Sequence, residues 1–152
     1  MRRHRFIDSF RYAANGIVTA VQKERNMRFH ICTAFYVYLF SMFYDFGKTE
    51  YAILTILVCG VVALELVNSS LERTVERPTP ERYQAAGTVK DMAAGAVLVF
   101  SIGAAACGAL LFWNVATFKT ILAFFLQYPL ALICLLLSLA FSGWFVFGKR
   151  GT

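Results

Sequence analysis

Four stretches of the chain are apolar enough to be read as membrane helices: Ile31 to Phe46, Tyr51 to Leu71, Met92 to Trp113 and Thr120 to Gly148. A helix needs roughly 20 predominantly apolar residues to cross a hydrocarbon core, so the first is short and leans on its flanking aromatics. The fourth is long. Its 29 residues between Lys119 and Lys149 would make about 43 Å of unbroken helix, so it must tilt, kink near Pro129 or begin in the interface. Ahead of the four, Phe6, Phe10, Ala13, Ile17 and Val21 recur at helical spacing among Arg5, Arg11 and Lys23. That pattern predicts an amphipathic helix lying on the membrane surface. Between the second and third spans, Pro78 and Pro80 stop the helix and open the polar loop ERPTPERYQAAGTVKD. The predicted fold class is all-α, a membrane helical bundle with an N-terminal surface helix.

Composition agrees: 59% of the 152 residues are hydrophobic and mean hydropathy is +0.59, too apolar for a soluble domain with a charged surface. The first 30 residues are charged throughout and hold no apolar run long enough for a secretory signal, so they are expected to be retained. If all four segments span, one side of the membrane receives Arg2, Arg3, Arg5, Arg11, Lys23, Arg25, Arg28, Arg73, Arg77, Arg82, Lys90, Lys149 and Arg150, and the other only Lys48 and Lys119. The positive-inside rule makes the first side cytoplasmic. The net charge of +6 therefore marks orientation and lipid headgroup contact, and no nucleic-acid partner is needed to explain it. Cys32, Cys59, Cys107 and Cys134 lie within apolar segments without CxxC pairing and read as reduced packing residues. His4 and His30 are isolated, so no zinc site is expected.

The end of the second span departs from this apolar pattern. It reads LELVNSSLERTVE, and Glu65, Asn68, Glu72 and Glu76 are spaced 3, 4 and 4 residues apart, one narrow stripe on a helix. An acid inside the membrane is costly unless it is paired, faces a wet cavity or holds a cation. For Glu65 the structural alternative is partnership with a neighbouring Arg or Lys. An amide among carboxylates suits a hard cation such as Mg²⁺ together with phosphate oxygens. Glu24, within KERNMR, is a further acid, and Lys90 and Asp91 open the third span, where Lys90 can meet anionic phosphate. The GKT at 47–49 is no phosphate loop, because Met42 stands where that pattern requires Gly. No GxGxxG or HRD element is present, and the Asp45-Phe46-Gly47 tripeptide stands alone without them, so ATP chemistry here needs another scaffold.

These residues resemble a known family. ELVNSSLERTVE followed by VKDMAAGAVL resembles the signature of the small bacterial integral-membrane diacylglycerol kinases and undecaprenol kinases, and FRYAANGI with KERNMRFH resembles their N-terminal region. The similarity runs from about Arg5 to Trp113. It implies a homotrimer with a surface helix and three membrane helices per subunit, and active sites shared between neighbouring subunits. On this chain that gives a surface segment over residues 1–30, a kinase core over 31–113, and an additional C-terminal span and tail over 114–152. It further implies an ATP- and Mg²⁺-dependent lipid kinase with Glu65 as catalytic base and Glu24 and Glu72 as metal ligands. Tyr12, Asn68, Glu72, Lys90 and Asp91 would belong to the nucleotide site, and Arg5, Arg28 and Glu76 would support it or the substrate. Glu76 stands where the family commonly has Asp. NMRFH and KDMAAGAVL look more like the undecaprenol kinase branch.

A base at the membrane boundary is where a lipid hydroxyl presents itself, and phosphoryl transfer mainly requires positioning and charge neutralisation. Gly95, Gly103, Ala104, Ala105, Ala106 and Gly108 give the third span small residues that permit close helix approach. A transporter or proton channel would use Glu65 as a relay and leave Lys90, Asp91 and Glu24 without a role. A non-catalytic scaffold would leave the polar stripe unexplained. Every candidate catalytic residue precedes Asn114, so the last segment is expected to be dispensable for the chemistry.

Overall fold

The computed structural model describes residues 6–75 and 83–148. The described residues form six helices: α1 (Phe6–Lys23), α2 (Arg25–Ser41), α3 (Lys48–Thr74), α4 (Tyr83–Phe112), α5 (Val115–Gln127) and α6 (Pro129–Phe147). The loop with Pro78 and Pro80 lies outside the described residues.

The amphipathic pattern at the N-terminus becomes α1. Its Phe6, Phe10 and Ile17 stay exposed while Ala20 is buried, which leaves an apolar face open as a helix in the lipid interface requires. A single residue, Glu24, then interrupts the helix in an extended conformation (φ −103°, ψ 123°). Its carbonyl accepts the Arg28 N–H and so begins α2.

The helix α2 differs from the expected span of Ile31 to Phe46: it starts six residues earlier and ends at Ser41. Phe43 and Tyr44 donate their N–H groups to the carbonyls of Phe40 and Ser41, at 3.1 and 3.0 Å, which tightens the last turn in the 3₁₀ manner. The freed aromatics pack elsewhere. Phe43 meets Phe124 edge-on at 5.2 Å, and the Tyr44 hydroxyl donates to the Phe112 carbonyl at 2.7 Å.

Helix α3 opens with Gly47, whose N–H donates to the Glu50 carboxylate at 2.9 Å, half of a capping box. It packs most extensively on α4. Gly60 permits this, since a Cβ there would collide with the Phe100 ring. The small residues of α4 do not serve the same purpose within the chain, because side chains built at Gly95, Gly103 and Gly108 would meet open space.

The long fourth segment is two helices. Pro129 takes the first position of α6, where its missing N–H costs nothing, and Tyr128 forms the joint. The Asn114 side chain caps α5 by accepting from Ala116 and Thr117 N–H. With 13 residues, or about 20 Å, α5 is too short to cross a bilayer.

Helix α6 returns antiparallel along α2. The Arg25 guanidinium lies over the Phe147 ring at one end, and Phe43 meets Phe124 and Phe125 at the other. Between these ends the Tyr36 hydroxyl bonds Ser138 and Ser142 Oγ at 3.2 and 3.0 Å. Among the described residues three helices, Lys48–Thr74, Ala85–Phe112 and Pro129–Phe147, are long and apolar enough to cross a membrane. The 17-residue α2 lies alongside α6. The chain is a multi-pass membrane protein with an all-α fold.

Candidate active site

The stripe at the end of the second expected span lies on α3. Glu65 is 2% exposed and Asn68 6% exposed, and Glu72, about 10 Å further along the helix, is half-buried. A buried carboxylate is costly unless polar groups satisfy it. The Asn26 side chain, on the first turn of α2, hydrogen-bonds Glu65. Among the described residues no Lys or Arg forms an ion pair with Glu65.

Glu24 and Glu72 both lie close enough to act electrostatically on Glu65, so the α1–α2 joint brings a third acid to the two on α3. Glu24 is held there by Arg73, whose Nη2 lies 2.8 Å from Glu24 Oε1. Beside this group, α1 and α3 enclose a cleft of about 560 Å³ lined in part by Asn15, Thr19, Ser69, Ser70 and Arg73.

Two of the expected residues carry open valences. Arg28 is 7% exposed, yet its Nε and Nη1 find no hydrogen-bond partner among the described residues. The same is true of the buried Asn68 Oδ1. Buried polar groups are almost always satisfied, and an unpaired guanidinium suits an anion such as phosphate. Asn68 stands between Glu65 and Glu72 on the stripe, and amide and carboxylate oxygens are the donors Mg²⁺ prefers. Among the described residues no group of three His, Cys, Asp or Glu forms a metal cage. A Mg²⁺ that travels with nucleotide uses only one or two carboxylates, phosphates and waters supplying the rest.

The remaining expected residues are placed less closely. Tyr12 is 53% exposed on α1, with the Arg11 guanidinium 5.8 Å from its ring centroid. Lys90 and Asp91 are exposed on α4, two turns after its start at Tyr83, where the sequence led us to expect them to open the helix. Neither forms an ion pair with a described residue. Arg5 and Glu76 lie outside the described residues.

Sequence reasoning missed Asn26 and Arg73. Asn26 stood in the quoted KERNMR beside Glu24, and its polar side chain at the start of a helix facing an acidic stripe was the available signal. Arg73 was read only as an orientation charge.

The model of the prokaryotic diacylglycerol kinase family matches residues 11–112, two thirds of the chain. The chain belongs to the prokaryotic diacylglycerol kinase family. It is 36% identical over 109 residues to the undecaprenol kinase of Bacillus subtilis (strain 168), covering 72% of this chain and 89% of that protein. It is 37% identical over 101 residues to the diacylglycerol kinase of Synechocystis sp., covering 66% of this chain and 58% of the relative. It is 30% identical over 93 residues to the diacylglycerol kinase of Haemophilus influenzae, covering 61% and 79%. No solved structure matches the chain. Relative to the family model, the joint at Glu24, the stripe on α3 and the start of α4 all lie inside the matched segment, and α5 and α6 lie beyond it.

Proposed function

We propose that this lipid kinase transfers the γ-phosphoryl group of ATP to the hydroxyl of a membrane lipid, with Glu65 as general base. The observation that carries the reading is the buried Glu65 carboxylate, met by an amide and by no cation among the described residues, on a stripe whose next members run toward the helix end. Mg²⁺ bound through Glu24 and Glu72 would neutralise charge on the phosphates. Arg28 would bind phosphate through its open Nε and Nη1, and Asn68 Oδ1 would orient the nucleotide–metal pair. Lys90, Asp91 and Tyr12 are assigned to the nucleotide. Glu65 takes the proton of the lipid hydroxyl as its oxygen attacks the γ-phosphorus and ADP leaves.

An apolar groove of about 530 Å³ between α2, α3 and α4 includes Val62, three residues before Glu65 and on its face of α3. A hydrocarbon chain lying there would bring its hydroxyl to Glu65. The excess of basic residues on one side supports a cytoplasmic site in the bacterial cell membrane. The open small-residue face of α4 and the exposed Lys90 and Asp91 support a homotrimer in which neighbouring subunits complete the site.

The acceptor we favour is undecaprenol, on the coverage of the Bacillus relative. Purified protein in micelles with Mg-ATP and either undecaprenol or diacylglycerol tests this by initial rates. Faster phosphorylation of undecaprenol supports the assignment, a preference for diacylglycerol reverses the acceptor, and no phosphorylation of either overturns the reading.

A further inference from the structure

The ion pair between Arg73 and Glu24 joins the last turn of α3 to the one residue that separates α1 from α2. Its stabilising role is small, because an ion pair with side chains 43% and 29% exposed gains little over solvation in water. The joint is fixed without it. The Glu24 N–H donates to the Ala20 carbonyl at 2.8 Å and its carbonyl accepts from Arg28, while Met27 beside it is fully buried. The backbone of Glu24 is therefore locked into both helices, and only its side chain is at liberty to change partner. Arg73 is the mobile half: a long side chain, half in solvent, at the rim of the cleft between α1 and α3. It follows Glu72 directly, yet adjacent residues on a helix do not face each other, and its guanidinium goes to Glu24 instead.

The contact engages Glu24 Oε1, an oxygen that a cation would also need. Guanidinium and Mg²⁺ compete for the same carboxylate. We infer that Arg73 is a positioning residue, the counter-ion that holds Glu24 over the end of α3 before the divalent cation arrives and releases it when the cation binds. The inference rests on the assignment of Glu24 as a metal ligand in the proposed function.

The test titrates Mn²⁺ into the full chain in detergent micelles with a non-hydrolysable ATP analogue, reading bound Mn²⁺ by electron paramagnetic resonance. Oligomeric state is checked on the same samples. Removing the competitor in Arg73→Gln is expected to tighten Mn²⁺ binding by about 2- to 5-fold, the scale of a half-exposed ion pair. The Mg²⁺ concentration that half-saturates lipid phosphorylation falls by the same factor. Arg73→Lys, which retains the charge, lies between Arg73→Gln and the unsubstituted protein. Unchanged Mn²⁺ affinity in Arg73→Gln, with only a lower melting temperature, would make the pair structural and overturn the inference. So would weaker binding in Arg73→Gln or Arg73→Lys, which would place Arg73 on the nucleotide. Glu24→Gln separates the two levels. If it binds Mn²⁺ as the unsubstituted protein does, the metal assignment itself fails; if it binds weakly while Arg73→Gln is unchanged, the exchange alone fails.

Discussion

Asn26 hydrogen-bonds the buried carboxylate of Glu65 from the first turn of a different helix. The bond ties the α1–α2 joint to the first member of the acidic stripe, so the side chain proposed to remove the lipid's proton is aimed by a residue 39 positions earlier in the chain.

Asn26→Ala removes that bond and leaves Glu65 with less to offset its burial. Hydrogen bonds to charged groups contribute about 1.5–3 kcal/mol, and a loss of stability in this range is expected, together with a lower kcat. Thermal unfolding in micelles and initial rates on one preparation check both. Unaltered values in each would show that the amide neither supports nor aims the carboxylate.

Glu65→Gln keeps size and hydrogen-bonding capacity and removes the basic oxygen. A fall in kcat of about 10² to 10⁴ is expected, the range of general-base catalysis, with nucleotide binding largely retained. A structural Glu65 would instead show impaired assembly and a normal rate in the oligomer that survives. Near-normal kcat in a well-assembled variant would remove Glu65 from the mechanism.

Glu72→Gln and Glu24→Gln are each expected to raise the Mg²⁺ requirement by about tenfold or more, since even groups one step outside a metal's ligands have effects of that size. The measurement is phosphorylation rate against Mg²⁺ concentration at fixed ATP. Both variants showing unsubstituted curves, with assembly confirmed, would rule out the pair as ligands.

The register of Glu65, Asn68 and Glu72 was legible in the sequence because it depends only on helical periodicity, and α3 is a regular helix. Glu24 was legible as a further acid within KERNMR, but its approach to the stripe was not. What periodicity could not give was the packing across helices: that Asn26 reaches Glu65, that Arg73 chooses Glu24, or that Arg28 is buried with open donors. The apolar run at Ile31 to Phe46 misled for a physical reason. Its last aromatics, Phe43, Tyr44 and Phe46, pack on Phe124 and Phe112 and leave the helix to do so, whereas hydropathy registers only that they are apolar. The break in the fourth segment was signalled by Pro129. The small residues of α4 promised close packing, but within the chain Gly60 provides it.

The C-terminal helices were expected to be dispensable for the chemistry, and their contacts are to α2 rather than to the acidic stripe. Truncation after Trp113 is expected to leave lipid phosphorylation measurable while lowering stability. Tyr36→Phe, which deletes the bonds to Ser138 and Ser142, should by itself cost about 0.6–2 kcal/mol, the range for polar contacts between membrane helices. Detergent-dependent melting with a rate assay decides both. A truncated chain that inserts and assembles but phosphorylates nothing would make α6 part of the catalytic unit.

The Tyr36 contact also indexes one helix against another. Ser138 Oγ donates to the Leu135 carbonyl and accepts from Tyr36, so the tyrosine proton is committed and Ser142 must be the donor to it. Leucine faces in lipid can slide or rotate past one another at little cost, whereas this thread of hydroxyls is complete in only one register. A polyleucine replacement of α6 would therefore still insert beside α2, but with no fixed rotational setting. What distinguishes α6 from a generic greasy anchor is that it knows where on α2 to stop.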